Sequence, residues 1–224
     1  SSFSPCINAQ TLRIGLSVAA SQDLELVQLD CSSAYLHCKN NKDIYMHPFP
    51  GIEYYTRDGK ALPHGYCLKL KKCMYGLPNG GRRWWQTLTA TLQTCGYKPS
   101  RVDPCLFTKT VQNSETGEQD QFIIMVYVDD IIMACRKKYI QNEVEAMAQH
   151  LTIRNEGELN YFWGMEIKRD RRKRLLFLNQ LRFTSDLIDT YTEEGMHHTA
   201  IPMEPGCKLS KAMCPTKPED IAAM

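Results

Sequence analysis

Two adjacent aspartates, Asp129 and Asp130, interrupt an apolar stretch of the chain, with apolar residues at 122–126 before them and 131–134 after them. An ionised carboxylate in apolar surroundings is costly unless it binds a metal ion, pairs with a cation or caps a turn. The flanking runs have the length and β-branched content of two strands, which predicts a hairpin with both carboxylates at its tight turn. A plain Asp-Asp turn with solvated side chains is the alternative.

A third carboxylate, Asp30, ends the segment 24–30, where apolar and polar residues alternate as in a half-buried strand. If this strand lies beside the hairpin, Asp30 and Asp129 can bind two divalent ions at the roughly 3.5 to 4 Å separation of in-line phosphoryl transfer. Two Mg²⁺ ions are expected, with Mn²⁺ as a substitute, because Mg²⁺ prefers a few carboxylates plus substrate phosphates. We therefore expect Asp30, Asp129 and Asp130 to be the catalytic and metal-binding residues.

Four segments resemble, in the right order, motifs of the reverse transcriptases of copia-type retrotransposons. They are VQLDCSSAYL (27–36), CMYGL (73–77) with RWW (83–85), YVDD (127–130) and YFWGMEI (161–167). The first three resemble the catalytic motifs, and the fourth resembles the primer-grip hairpin that follows them. The resemblance covers nearly the whole chain, and four ordered motifs are far harder to obtain by chance than one.

The resemblance implies a nucleotide site. Tyr35, five positions after Asp30, would lie under the sugar of the incoming nucleotide and exclude a 2′-hydroxyl, whereas composition alone would make it a core tyrosine at a strand end. Relatives usually carry Gln where Asn79 stands, and the shorter side chain weakens the expected contact. The residues expected to bind nucleotide are Tyr35, Ala34, Leu77, Asn79 and Gly80.

Nucleic-acid contacts are implied in two further places. The pair of arginines at 82–83 would bind phosphate or template backbone, and the segment 163–165 would hold the primer terminus. Solvated helix charges and a core tryptophan are the alternatives. The expected set is Arg82, Arg83, Tyr127, Trp163, Gly164 and Met165. Basic clusters at 136–138 and 168–174 add local positive potential that the net charge of +2 conceals, although such clusters are more often solvated turns.

Hydrophobic periodicity predicts the elements that position these residues. Helices are expected at 7–20, 80–95, 140–153 and 182–191, and strands at 24–30, 44–47, 66–70, 106–110, 122–127, 159–167 and 175–179. Strands interrupted by long helices around a central hairpin favour an α+β fold, an antiparallel sheet covered by helices on one face. The resemblance makes residues 1–195 a right-hand polymerase palm with partial fingers and the start of a thumb. Residues 196–224 are expected to be an irregular Pro/Lys-rich tail leading to the rest of the thumb and a connection.

Composition limits the class of protein. A chain of 224 residues with 43% hydrophobic content can bury a substantial core. Its apolar runs are far shorter than the ~20 residues that cross a bilayer, and a signal-peptide pattern is absent, so no membrane partner is expected. Ten cysteines without C-x-x-C spacing indicate reduced thiols inside the cell.

The sequence thus predicts an RNA-directed DNA polymerase that adds deoxynucleotides to a primer 3′-hydroxyl by two-metal nucleotidyl transfer. Expected partners are an RNA or DNA template with its primer, deoxynucleoside triphosphates, and the integrase and RNase H domains of a longer Pol polyprotein. Such a protein would be in the cytoplasm within a virus-like particle, with the nucleus as the alternative. An inactive or domesticated retroelement remnant that only binds nucleic acid is the competing hypothesis. A two-metal nuclease would need a further Glu or His near the metals.

Overall fold

The computed structural model describes residues 4–63, 65–192, 201, 203 and 205–222. The chain divides into one compact unit that ends at Leu181 and a second that begins at Arg182. The predicted boundary between residues 195 and 196 lies outside the described residues. Within the predicted tail, the described residues include a short 3-10 turn, Lys211–Met213, and a five-residue helix, Pro218–Ala222.

Helices and antiparallel strands alternate along the chain, as expected of an α+β protein. The helices are α1 (Ala9–Ser21), α2 (Gly80–Thr94), α3 (Ile140–Ala148), α4 (Leu181–Tyr191) and α5 (Pro218–Ala222). The strands are β1 (Glu25–Cys31), β2 (Tyr45–Met46), β3 (Leu68–Lys69), β4 (Lys98–Pro99), β5 (Leu106–Gln112), β6 (Gln119–Tyr127), β7 (Asp130–Cys135), β8 (Ile153–Glu158), β9 (Tyr161–Phe162), β10 (Met165–Asp170) and β11 (Leu175–Asn179). Further 3-10 turns lie at Ala34–His37 and Lys137–Tyr139.

The main sheet has six strands in the order β4-β5-β6-β7-β1-β8. A second sheet has the order β11-β10-β9, and β2 pairs with β3. The two most central strands, β6 and β7, are buried without interruption over residues 122–126 and 131–135. A strand with one solvated face alternates between buried and exposed residues, so continuous burial means that both faces are covered.

Helices cover both faces of this sheet, and the prediction of a single covered face is wrong. α1 packs on the face that carries Met125, where Gly15 leaves room for the methionine side chain. α3 packs on the opposite face, where Glu143 forms a 2.7 Å ion pair with Lys109. Lys109 is the cross-strand partner of Phe122, and residues three positions apart on a strand point to opposite faces.

Two predicted elements also differ from the structure. The helix expected at 140–153 ends at Ala148, and the next residues lead into β8, an edge strand whose exposed polar residues show no apolar alternation. The strand expected at 159–167 is interrupted by a turn at Trp163 and Gly164, with φ angles of 48° and 74°. The turn makes this segment a hairpin of β9 and β10.

The predicted end of the second helix, just before Gly96, is confirmed. α2 ends at Thr94, and Gly96 has a φ of 89°, the left-handed conformation in which glycine closes a helix. The amide of Tyr97 then donates to the carbonyl of Leu92 at 2.9 Å. Within the described residues, no helix has the length and apolarity to cross a bilayer.

Candidate active site

The strand carrying Asp30 lies directly beside the hairpin, as predicted. β1 pairs with β7, and Asp30 is the cross-strand partner of Asp130. The amide of Cys31 donates to the carbonyl of Asp129 at 3.4 Å, which joins the end of β1 to the hairpin turn. The turn consists of Val128 and Asp129, so Asp130 is the first residue of β7 and not a turn residue as expected.

The electrostatic surroundings of the hairpin carboxylates favour a cation. Burial raises the pKa of Asp129 above its ordinary value, and the charges of Asp130 and Asp30 raise it further, against the effect of a hydrogen bond from Tyr75. Burial likewise raises the pKa of Asp130, with Asp30 adding to the shift and a hydrogen bond from Gln28 opposing it. A neighbouring negative charge disfavours the ionised form of Asp129 and of Asp130, and a bound cation relieves that cost.

The oxygens of these carboxylates differ in their partners. The Tyr75 hydroxyl donates to Oδ2 of Asp129 at 2.9 Å, while Oδ1 of Asp129 is buried without a hydrogen-bond partner. Oδ2 of Asp30 accepts from Arg154 at 2.9 Å and from Ser32 at 3.1 Å. Across the described parts of the chain, no group of three or more His, Cys, Asp or Glu side chains is arranged so that it could hold a metal ion by itself. The orphaned oxygen and clustered carboxylates fit a hard cation that takes its other ligands from substrate phosphates and water.

Tyr35 lies beside the first residues of α2. Its ring packs edge-on against Tyr75, with 4.3 Å between ring centroids. A Cβ on Gly80 would lie 3.1 Å from Cδ1 of Tyr35, so the glycine permits the close approach of helix and ring. Ala34 precedes Tyr35 in the same 3-10 turn and is fully buried. Three of the predicted nucleotide residues, Ala34, Tyr35 and Gly80, thus lie together.

The other two predicted nucleotide residues, Leu77 and Asn79, lie in the turn that leads into α2. The amide of Gly80 donates to the carbonyl of Leu77 at 2.9 Å. Asn79 is 8% exposed, does not cap the helix with its side chain, and has an amide nitrogen that is buried without a partner.

A basic cavity of about 560 Å³ opens beside this turn. Its lining residues are Asn41, Lys42, Pro78, Asn79, Arg82, Arg83 and Gln86. Arg83 is fixed by Asn41 at 3.0 Å and by Gln86 at 3.2 Å. Both predicted phosphate-binding arginines therefore line one positively charged cavity at the N-terminus of a helix, where anions are favoured.

The predicted primer-binding hairpin reaches the turn that carries Asp129 through aromatic contacts. The ring of Trp163 lies 5.2 Å from that of Tyr127, the last residue of β6. Trp163 stays 43% exposed, so part of the indole is accessible to solvent. Gly164 completes the turn, and Met165 pairs with Phe162 across the hairpin.

Part of the predicted basic cluster has a structural role. The guanidinium of Arg169 is bound by the carbonyl of Leu24 and by Asp23, and Arg171 pairs with Asp23 and Glu25. Arg169 keeps only 7% of its side chain exposed. These two arginines attach the end of β10 and the turn after it to the loop before β1 and the first residue of β1, so they are already paired with protein groups.

The residues at the site that were not predicted from the sequence include Tyr75, Arg154 and Trp84. Tyr75 and Arg154 bind the carboxylates of Asp129 and Asp30, and the indole nitrogen of Trp84 donates to the carbonyl of Val128 at 2.7 Å. Tyr75 and Trp84 lie inside the second matching motif, so that motif could have identified them as site residues. Arg154 lies in the unpredicted strand β8, where no pattern marked it.

Comparison with known proteins shows the family of the chain. The family profile described as Reverse transcriptase (RNA-dependent DNA polymerase) matches residues 1–205. The chain is 31% identical to the Retrovirus-related Pol polyprotein from transposon TNT 1-94 of Nicotiana tabacum, over 97% of the chain and 16% of that protein. It is 32% identical to the Retrovirus-related Pol polyprotein from transposon RE1 of Arabidopsis thaliana, over 93% of the chain and 13% of that protein.

A yeast relative is more distant. The Transposon Ty1-DR1 Gag-Pol polyprotein of Saccharomyces cerevisiae is 28% identical over 75% of the chain and 9% of that protein. The chain thus spans about a sixth or less of the length of these relatives. No solved structure matches it. The profile match and the Pol polyprotein relatives together show that the chain belongs to the reverse transcriptase (RNA-dependent DNA polymerase) family and is of the copia type.

Proposed function

We propose that this chain carries the polymerase centre of an RNA-directed DNA polymerase that adds deoxynucleotides to a primer 3′-hydroxyl. The observation that carries the proposal is the meeting of Asp30 and Asp130 as cross-strand partners beside Asp129, one of whose oxygens is buried and unpartnered. Carboxylates crowded in this way are costly without a cation, and phosphoryl transfer needs cations at such a position.

Asp30 and Asp129, assisted by Asp130, would hold two Mg²⁺ ions, with Mn²⁺ as a substitute. When bound, the ions stabilise the attacking and leaving oxygens of an in-line displacement. The protein's own contribution is to orient the carboxylates. Tyr75 holds one oxygen of Asp129 and leaves the other free, while Arg154 neutralises Asp30.

The neighbouring residues would position the reactants, and positioning is most of the catalysis in this reaction class. Tyr35 and Ala34, with the turn from Leu77 through Asn79 to Gly80, would form the nucleotide pocket. The cavity lined by Arg82 and Arg83 would take phosphates of the template strand. On the other side of the catalytic turn, Tyr127 and the exposed indole of Trp163, with Gly164 and Met165, would hold the primer end.

The remaining expectations complete this proposal. Residues 1–195 would form a polymerase palm with partial fingers and the start of a thumb, and 196–224 would lead on from it. Template, primer and deoxynucleoside triphosphates would be the substrates, and integrase and RNase H domains the partners in a Pol polyprotein. The site of action would be a virus-like particle in the cytoplasm, with the nucleus as the alternative.

Primer extension on defined RNA and DNA templates tests the proposal. Extension should require Mg²⁺ or Mn²⁺ and should be lost in Asp129→Asn. The matched control is Asp43→Asn, which removes an exposed carboxylate paired with Lys69 at 2.6 Å and should leave extension unchanged. Binding of primer-template without extension under either ion would favour the nucleic-acid-binding remnant instead.

A further inference from the structure

The turn that carries Asp129 has an unusual backbone. Val128 has a φ of 55°, in the left-handed region, while Asp129 is not among the described residues that have a positive φ. A two-residue hairpin loop with this pattern ordinarily has glycine at its first position. A β-branched residue at positive φ is strained and persists only where its surroundings hold it.

The side chain that holds Val128 is Trp84. Its indole nitrogen donates to the Val128 carbonyl at 2.7 Å, across 44 positions of sequence. Trp84 is 1% exposed within the hydrophobic core, so its ring cannot turn away without disturbing the packing around it. A buried indole N–H must find an acceptor, and here the acceptor is the strained peptide itself.

Both peptide groups that flank Asp129 are thereby fixed. The carbonyl of Val128 belongs to the planar peptide that precedes Asp129, and Trp84 binds it from α2. The carbonyl of Asp129 belongs to the peptide that follows, and the amide of Cys31 binds it from β1. With both planes held, the Asp129 carboxylate leaves the backbone in a set direction.

We propose that Trp84 is a positioning residue, which holds the Val128 peptide in its left-handed conformation and so sets the direction of the Asp129 carboxylate. The proposal rests on the proposed function, in which Asp129 binds the catalytic cation. Trp84 itself touches neither substrate nor ion. Because it lies on α2, the same helix whose first turn carries Arg82 and Arg83, it also fixes the catalytic turn relative to the basic cavity.

The substitution that isolates the N–H is Trp84→Phe, which keeps an aromatic ring and removes the donor. The chain offers a matched control in Trp85→Phe, since Nε1 of Trp85 donates to the carbonyl of Pro104 at 3.2 Å, away from the turn. Replacement of Trp84 by 3-benzothienylalanine, which keeps the bicyclic shape and lacks the N–H, serves where phenylalanine disturbs folding. Val128→Gly supplies a background in which the left-handed conformation causes no steric strain in the backbone.

Hydrogen exchange of the amides at 128–131, in metal-free protein, is the first readout. Loss of the Trp84 N–H should speed exchange there about tenfold, the factor expected for one net hydrogen bond, and Trp85→Phe should not. In the Val128→Gly background the same loss should speed exchange less than threefold, because glycine adopts the turn unaided. Equal acceleration in both backgrounds, or in Trp85→Phe, would reduce Trp84 to a packing residue and overturn the proposal.

Binding of Mn²⁺ in the presence of a deoxynucleoside triphosphate, whose phosphates supply the remaining ligands, is the second readout and is followed by electron paramagnetic resonance. Removing the Trp84 N–H should weaken Mn²⁺ binding about tenfold, and Val128→Gly should restore most of the loss. Unchanged Mn²⁺ affinity alongside faster exchange would overturn the link between the turn and the carboxylate. Absence of Mn²⁺ binding in the unsubstituted protein would refute the proposed function, while the exchange experiment would still decide whether Trp84 holds the turn.

Discussion

Asp30 and Asp130 are direct cross-strand partners at the ends of β1 and β7, so their carboxylates lie on the same face of the sheet. Tyr127 pairs with Asp130 from the other side, which places the aromatic ring next to the same carboxylates. Like charges directly opposite one another destabilise a sheet. The site is thus a place where stability and the proposed function conflict.

Replacing one of these charges should stabilise the metal-free protein. Asp130→Asn keeps the shape and the contact with Gln28 but removes the repulsion from Asp30, so the free energy of unfolding should rise by about 0.2 to 1 kcal/mol. Urea unfolding in the presence of a chelator measures this change. Extension activity should fall in the same variant, because a metal-binding charge is lost.

Asp103→Asn provides the contrast for this experiment. Asp103 is 4% exposed and accepts backbone amides of Asn8 and Cys105, both at 2.9 Å. Asp103→Asn should lower the free energy of unfolding by about 1 to 3 kcal/mol, since two backbone amides lose a charged acceptor. A loss of stability in Asp130→Asn as well would show that the Asp30–Asp130 repulsion is not felt in the folded protein.

Tyr75→Phe should slow nucleotide addition. The Tyr75 hydroxyl orients Asp129 through a hydrogen bond to a charged acceptor, which contributes about 1.5 to 3 kcal/mol. Losing it should lower kcat about tenfold or more and leave KM for the nucleotide nearly unchanged. Pre-steady-state extension over a range of nucleotide concentrations separates the two parameters.

Tyr55→Phe is the control for that variant, because its phenol also donates to a carboxylate, that of Glu53. This substitution should leave kcat unchanged. If Tyr75→Phe changed only KM, the tyrosine would act on nucleotide binding and not on Asp129.

Tyr35→Val should admit ribonucleotides. The ring of Tyr35 is wedged between Tyr75 and the first glycines of α2, so it cannot withdraw to make room for a 2′-hydroxyl. Removing it should reduce discrimination by about 1 to 3 kcal/mol, the range for one pocket contact. Gly80→Ala, whose Cβ would press on the same ring, should alter the ratio without removing the tyrosine. Unchanged ribonucleotide incorporation in Tyr35→Val would make Tyr35 a packing residue.

The sequence predicted the elements whose signal is local. Alternation identified β1, the two apolar runs identified the hairpin, and the glycine at 96 identified the end of α2. The continuous apolar run at 122–126 is the pattern of a strand covered on both faces, which the prediction of a single covered face did not reflect. β8 was missed because its exposed polar residues carry no alternation.

The contacts that complete the site could not be predicted in this way. Tyr75 reaches Asp129 across 54 positions, and Arg154 reaches Asp30 across 124. Such pairs depend on how the sheet and helices pack, which no period in the sequence encodes. The left-handed turn could not be predicted for a further reason. Valine is β-branched and prefers extended backbone, so its presence at position 128 does not indicate a positive φ.

Asp120 should make the stability of the protein depend on acid pH. It is 2% exposed and accepts from Asn113 at 3.0 Å and Tyr139 at 2.9 Å, with Arg136 as its ion-pair partner. Burial by itself raises the pKa of Asp120, but the bonds from Tyr139 and Arg136 outweigh it and hold the pKa below the ordinary value. A carboxyl with a lowered folded-state pKa stabilises the protein above its unfolded pKa of about 3.9 and loses that effect as pH falls through the folded value.

Asp120→Asn should therefore cost about 2 kcal/mol at pH 7, and the difference from the unsubstituted protein should shrink below about pH 4. Urea unfolding at a series of pH values measures both quantities. A difference that stayed constant down to pH 2 would mean that the charge of Asp120 does not contribute.

Arg82 should contribute to nucleic-acid binding through one phosphate. Each Lys or Arg that neutralises a phosphate makes the logarithm of the affinity fall more steeply with the logarithm of salt concentration, by about 0.7 to 0.9 per contact. Arg82 lines a basic cavity at the start of α2. If Arg82 binds a backbone phosphate there, Arg82→Gln should reduce that slope by about one and weaken binding alike on all sequences. Arg171→Gln should leave the slope unchanged, since Arg171 is already paired with Asp23 and Glu25. Fluorescence anisotropy of a labelled primer-template between low and moderate salt measures the slopes. Equal slopes for Arg82→Gln and the unsubstituted protein would place the template backbone elsewhere on the surface.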